Sequence, residues 1–228
     1  RGEISMSKKI FRKSVLLLAI TSILLFAMSI TSLAANGITG LKQTGTSETE
    51  IAVEFNEMSD AYGYYVYYAG SDGVWKRPYN RTEGTLDTRS GSATISGLKA
   101  ATTYKVKVVP VYYENGMFYP SNSQSATIKA ITAPKAVTSL KQTKATAKTV
   151  TISWKKSKGA SKYYVCNSSG KILAKTKKTS VTIKNLKAGS RKAYYVCAVK
   201  ELDKKGAASE LEGIYAYTTP GKVSKVGS

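Results

Sequence analysis

From residue 36 onward the chain alternates apolar and polar side chains. In Thr103-Tyr104-Lys105-Val106-Lys107-Val108, Tyr104, Val106 and Val108 fall on one face and the two lysines on the other. A period of two belongs to a β-strand with one buried face. Runs of this kind, broken by clusters of Gly, Ser, Asn and Asp, predict strands near 38–43, 50–55, 63–69, 75–79, 92–96, 103–112 and 123–131. After Ala133-Pro134-Lys135-Ala136-Val137 a second set follows near 137–142, 149–154, 162–167, 171–175, 180–184, 192–199 and 211–218. The pattern predicts an all-β chain.

The second set repeats the first. Leu41-Lys42-Gln43-Thr44 returns as Leu140-Lys141-Gln142-Thr143, an offset of 99. The same offset carries Ile51, Val53 and Phe55 onto Val150, Ile152 and Trp154, and Ala61, Tyr64, Tyr65 and Val66 onto Ala160, Tyr163, Tyr164 and Val165. A register held over so many core-type positions marks a duplicated unit. Residues 36–132 form the first unit and 133–219 the second; 220–228, where Pro220 matches Pro134, reads as a tail or the start of a truncated third unit.

Residues 1–35 follow another rule. Lys8, Lys9, Arg12 and Lys13 precede an apolar-leaning stretch from Val15 to Ile30, and Ser32-Leu33-Ala34 places small residues around a cleavage point. This is the layout of a helical signal peptide, with Met6 as its natural start. An uncleaved anchor is the rival reading, although the stretch is short for a membrane span of about 20 residues. The leader predicts a secreted, extracellular or cell-wall associated protein, and its short lysine-rich form suggests a bacterial source.

Gly97-Leu98-Lys99-Ala100-Ala101-Thr102-Thr103-Tyr104, followed by Val106 and Val108, resembles the corner between strands E and F of a fibronectin type III domain. Trp154 matches the family's buried strand-B tryptophan, and Phe55 stands there in the first unit. The resemblance implies two tandem immunoglobulin-like (fibronectin type III) β-sandwiches preceded by the signal-peptide helix. It also implies that the Tyr104 hydroxyl bonds nearby backbone. In the second unit Lys192 takes the corner position, so that bond is expected to be missing and the unit to be the less stable. Modules of this family occur in adhesins and beside domains of polysaccharide-degrading enzymes. The expectation is a non-catalytic binding, adhesion or spacer protein. The alternatives are a carbohydrate-binding accessory module or a fragment of a larger secreted polysaccharide-acting enzyme.

Charge separates the units. Residues 36–132 hold nine basic and nine acidic side chains, whereas 133–228 hold 21 basic and four acidic. A basic half attracts polyanions, which makes a wall polyanion an expected partner of the second unit. The lysines are scattered and carry no nucleic-acid-reading motif. The chain has no histidine, the commonest general base and metal ligand, and no nucleophile elbow or phosphate-cradling loop. No catalytic residue, cofactor or metal is expected.

Aromatic residues give the candidate site. Tyr65 and Tyr67 fall on the outward face of the third strand, Trp75 and Tyr79 follow, and Tyr112, Tyr113, Phe118 and Tyr119 flank the Glu114-Asn115-Gly116 turn. These rings could form one surface for a protein or polysaccharide, or simply pack the edge of the sandwich. Tyr164 and Tyr195 are the second unit's candidates for the same role. Cys166 and Cys197 each follow Tyr-Tyr-Val on neighbouring strands of the second unit, facing outward. By the family's register they lie diagonal to each other, so either a strained disulfide or two exposed free thiols is expected.

Overall fold

The computed structural model describes residues 37–78, 85–203 and 205–221. The expected leader (residues 1–35), Tyr79 and residues 222–228 lie outside the described residues. The described chain forms two compact bodies, one of residues 37–78, 85–133, 200–203 and 205–207, the other of 134–199 and 208–221; the two sequence repeats, the first and second unit, part between Ala133 and Pro134.

The first unit contains β1 (Lys42–Thr46), β2 (Ile51–Glu54), β3 (Gly63–Ala69), β4 (Ser92–Ile95), β5 (Thr103–Glu114), β6 (Met117–Pro120) and β7 (Ala126–Ile131). One sheet runs β1-β2-β4; the other runs β3-β5-β6, with β7 also on β5. The second unit contains β8 (Thr138–Ala145), β9 (Val150–Lys155), β10 (Lys162–Asn167), β11 (Ile172–Thr176), β12 (Ser180–Ile183), β13 (Arg191–Leu202), β14 (Lys205–Ala208) and β15 (Glu212–Tyr217). Its sheets run β12-β9-β8 and β11-β10-β13-β14, with β15 also on β13. Both units are antiparallel immunoglobulin-like sandwiches with a strand order of the fibronectin type III kind.

Two predicted strands differ. The described residues of the run at 75–79 contribute only a bridge between Lys76 and Tyr68. The run at 123–131 pairs only from Ala126, because the Asn122–Gln124 turn interrupts it, and β6, which no predicted run covers, precedes it and ends at Pro120, which lacks an N–H. The Asn115-Gly116 turn behaves as its sequence requires: both residues have positive φ, which folds β6 tightly back on β5.

Alternation fills each interior. Ile51, Val53, Tyr64, Val66, Ile95, Tyr104, Val106 and Val108 make the first core. Val150, Ile152, Trp154, Tyr163, Val165, Tyr194, Val196 and Ala198 make the second. At the same place in each, Phe55 packs edge-on to Tyr64 (4.7 Å) and Trp154 to Tyr163 (5.4 Å).

Polar latches tie the cores to the loops. The Lys99 N–H donates to Tyr104 Oη at 2.8 Å, which is the corner bond the sequence implied. In the second unit Lys192 occupies that position and is exposed. A threonine serves both corners: Thr132 Oγ1 accepts from Thr102 N–H (2.9 Å) and donates to Lys99 C=O, and Thr218 Oγ1 does the same with Ser190 N–H (2.8 Å) and Lys187 C=O. The Met58 N–H donates to Tyr64 Oη (2.7 Å), and Ser157 N–H to Tyr163 Oη (3.0 Å).

The repeated Leu-Lys-Gln-Thr segment now has a structural account. Gln43 pairs through both ends of its amide with the N–H and C=O of Ile131 (3.0 and 2.9 Å), and Gln142 likewise with those of Tyr217 (2.8 and 2.9 Å). A side-chain amide thus stands in for one step of a β-ladder, joining the first strand of one sheet to the last strand of the other.

Candidate ligand-binding surface

The outer face of β3-β5-β6 carries the first unit's rings. Tyr64 and Val66 point into the core, so Tyr65 and Tyr67 point out, opposite Val109 and Lys107. The same alternation puts Val109, Val111 and Tyr113 outward on β5, and Tyr113 lies directly opposite Phe118.

Two ring groups result. Tyr62, Tyr113 and Phe118 pack at centroid distances of 5.0–5.8 Å. Arg89 lies over Tyr62 at 4.5 Å and donates to its hydroxyl at 2.8 Å. Tyr67 and Trp75 each stand 5.0 Å from Lys107 Nζ, which sits against both rings. Tyr65 joins the groups: it packs edge-on to Tyr67 and against Phe118, Val109 and Val111.

Tyr65 is not available to a ligand. It is only 4% exposed, because the Arg77 guanidinium lies 4.2 Å over its ring and Leu86 packs beside it. Arg77 is fixed there by Asp87, whose Oδ2 accepts from Arg77 Nε (3.1 Å), Arg77 Nη2 (2.9 Å) and Val66 N–H (2.8 Å). Arg77 also donates to Thr85 C=O. With side-chain exposures of 9% and 5%, this ion pair is a buried clamp that holds polar loop segments across the sheet. Tyr65 is therefore floor, and Tyr62, Trp75 and Tyr113 are the exposed rings.

The expected single surface is smaller than the sequence implied. Tyr112 and Tyr119 face each other across β5 and β6, one step out of phase with Tyr113 and Phe118, so they lie on the opposite side of the ribbon. Tyr112 is half-buried and donates to Gln124 Oε1 at 2.8 Å; burial pushes its phenol above the ordinary value. Tyr62 precedes the predicted strand, where alternation gave no reason to count it.

In the second unit the candidates Tyr164 and Tyr195 and the two cysteines are also covered. Tyr164 is buried with the ammonium groups of Lys162 and Lys175 each 5.2 Å from its ring. Tyr195 is half-buried and lies across Gly213, where a Cβ would come within 2.8 Å of its ring. Cys166 stands opposite Tyr195 and Cys197 opposite Tyr164, which confirms the diagonal register. The thiols are free, and the expectation of a disulfide or of exposed thiols is corrected: both are fully buried. Burial pushes Cys166 up to about 11, and burial together with the neighbouring Cys166 pushes Cys197 up to about 12. Both groups are protonated, inert packing at neutral pH.

The outer aromatic strip offers ring faces, one flanking guanidinium and one flanking ammonium. That set binds by stacking and hydrogen bonding. Among the described residues no three His, Cys, Asp or Glu side chains gather as a metal site.

No family model matches the chain, and no curated protein matches it. Among solved structures it is similar to a two-domain fibronectin type III segment from chicken tenascin, at 20% identity over 79% of this chain and 99% of that one, with a TM-score of 0.41. It is also similar to the central fibronectin III array of RIM-binding protein, at 16% identity over 83% of this chain and 71% of that one, with a TM-score of 0.32.

Proposed function

We propose that this chain is a non-catalytic, exported binding and adhesion protein whose first sandwich engages an uncharged polysaccharide or a protein surface. The carrying observation is the outer strip in which Tyr62, Tyr113 and Phe118 pack together with Arg89, and Trp75 packs on Lys107. The first unit's balance of nine basic and nine acidic residues suits an uncharged partner better than a polyanion. Exposed aromatic rings fixed on a rigid sheet lose little freedom on binding, which is what an anchoring surface needs. The leader-like residues 1–35 support an extracellular place of action.

The test is co-sedimentation of the full chain with insoluble cellulose, chitin and xylan, and with cell walls stripped of protein. Trp75→Ala and Tyr113→Ala should each weaken retention on the polymer that binds. Retention unchanged in both variants, or no retention on any of these materials, would remove the polysaccharide reading and leave the protein surface.

A further inference from the structure

The second unit carries a ring–cation group that its sequence did not announce. Tyr215 and Tyr217 are 49% and 52% exposed, although both belong to a paired strand. Ile214 and Ala216 take the core side of β15, so both tyrosines face outward. Register sets Tyr217 opposite Arg191 and Tyr215 opposite Ala193. Arg191 leans diagonally, with its guanidinium carbon 3.8 Å over the Tyr215 ring and 5.8 Å from the Tyr217 ring. A guanidinium stacked on one ring keeps its in-plane N–H donors at the edge of the stack, beside the second ring.

The strand beneath is fixed. The N–H and C=O of Tyr217 are both held by the Gln142 amide, and the next residue, Thr218, clasps Lys187 C=O and Ser190 N–H. The backbone edge at Tyr217 is thus occupied, and what it presents is side chains on a rigid support. The electrostatic setting is one-sided. Residues 133–200 contain 17 basic residues and no acidic one; the second half's four acids, Glu201, Asp203, Glu210 and Glu212, fall within one short stretch.

We infer that Arg191, Tyr215 and Tyr217 form a subsite for an acidic polysaccharide whose sugar units carry a carboxylate on the ring. One uronate residue can lie on the open face of Tyr217 while its own carboxylate takes the fork of Arg191, since both groups belong to one pyranose. A nucleotide separates base from phosphate by a whole sugar and fits this short diagonal less well. Tyrosines two positions apart on a strand stand roughly 6.6 Å apart, so an extended polymer can cross both side chains. The surrounding positive charge raises the polymer's local concentration, and the stacked pair selects the sugar. This goes beyond the proposed role of the first unit and uses none of its residues, so either can fail alone.

The experiment measures binding of the full chain to polygalacturonate at near-physiological salt, with neutral dextran and oligo-dT as competitors. Tyr217→Ala and Arg191→Gln should each weaken binding by about tenfold or more, as loss of a stacking or fork contact would. Tyr217→Phe keeps the ring and should bind as the original chain does. Lys148→Gln removes the same charge as Arg191→Gln from the β8–β9 turn and should cost less than about twofold, because diffuse charge is shared by many lysines. Thermal unfolding of each variant checks that these exposed changes leave the fold intact. Equal losses in Arg191→Gln and Lys148→Gln, or unchanged binding in Tyr217→Ala, would leave only diffuse charge and overturn the subsite. Displacement by oligo-dT at lower concentration than free polygalacturonate would also overturn it, in favour of single-stranded nucleic acid.

Discussion

Removing a hydroxyl from Tyr104 and from Tyr194 should move the stability of the two units in opposite directions. Both rings are buried on strands that run out of the same corner, and both lose one oxygen on change to phenylalanine. Tyr104 Oη accepts from Lys99 N–H at 2.8 Å, whereas Tyr194 Oη is buried without a hydrogen-bond partner. Burial holds the Tyr194 phenol above its ordinary pKa, so it is neutral and costs only the desolvation of one hydroxyl. Tyr104→Phe forfeits a net hydrogen bond of about 0.5–1.5 kcal/mol from the first unit. Tyr194→Phe removes a desolvated hydroxyl and should stabilise the second unit by about 1 kcal/mol or more, the lower end of the cost of burying such a group unpaired. With a urea slope of about 1 kcal/mol per molar for a small domain, each change moves a midpoint by roughly 0.5–1.5 M. Urea unfolding followed by residue-resolved NMR reads the units separately. A second-unit midpoint that falls in Tyr194→Phe would show a partnered hydroxyl and refute the reasoning, as would a first-unit midpoint unmoved by Tyr104→Phe.

Three other changes follow from the same contacts. Lys192→Tyr rebuilds the corner in a turn of the same length as the first unit's and should raise the second unit's melting temperature by about 4–8 °C, the shift that 1 kcal/mol gives a domain of this size; calorimetry checks it. Asp87→Asn removes the buried carboxylate that Arg77 pairs with and should cost the first unit about 3–5 kcal/mol in denaturant unfolding, with Tyr65 becoming more solvent-accessible. The thiols should resist a disulfide-exchange reagent in the folded chain at pH 8 and react fully in urea. Because Cys166 and Cys197 rise from an ordinary 9.0 to about 11 and about 12, only the unfolded chain loses these protons just above pH 9. The stability they confer is therefore whole below pH 9 and lost as pH rises through the folded values. Cys166→Ser with Cys197→Ser should flatten part of that alkaline fall, and an identical alkaline profile would count against it.

Much of the fold could be read from the amino-acid order. Alternation located most strands, the offset of 99 paired the units, and Leu98 with Tyr104 placed the corner and its hydrogen bond. The diagonal register of Cys166 and Cys197 came from the family resemblance, because alternation fixes the face a residue takes and not which residue stands opposite it. Alternation says which side of a sheet a residue takes; it does not say what lies over that side. Tyr65, a candidate for the open surface, is covered, because Arg77, in the run at 75–79, and Asp87, ten residues later, clamp across it. Cys166, Cys197 and Tyr164 face outward as expected and are buried all the same. Tyr62, Tyr215 and Tyr217 stay exposed even with Arg89 stacked on Tyr62 and Arg191 on Tyr215, and no local pattern marks that difference. The sequence therefore determined the sheets and their inner faces, where burial is a property of each strand. Only the tertiary structure decided which outward rings reach solvent, because that depends on irregular segments brought over the sheet from elsewhere in the chain.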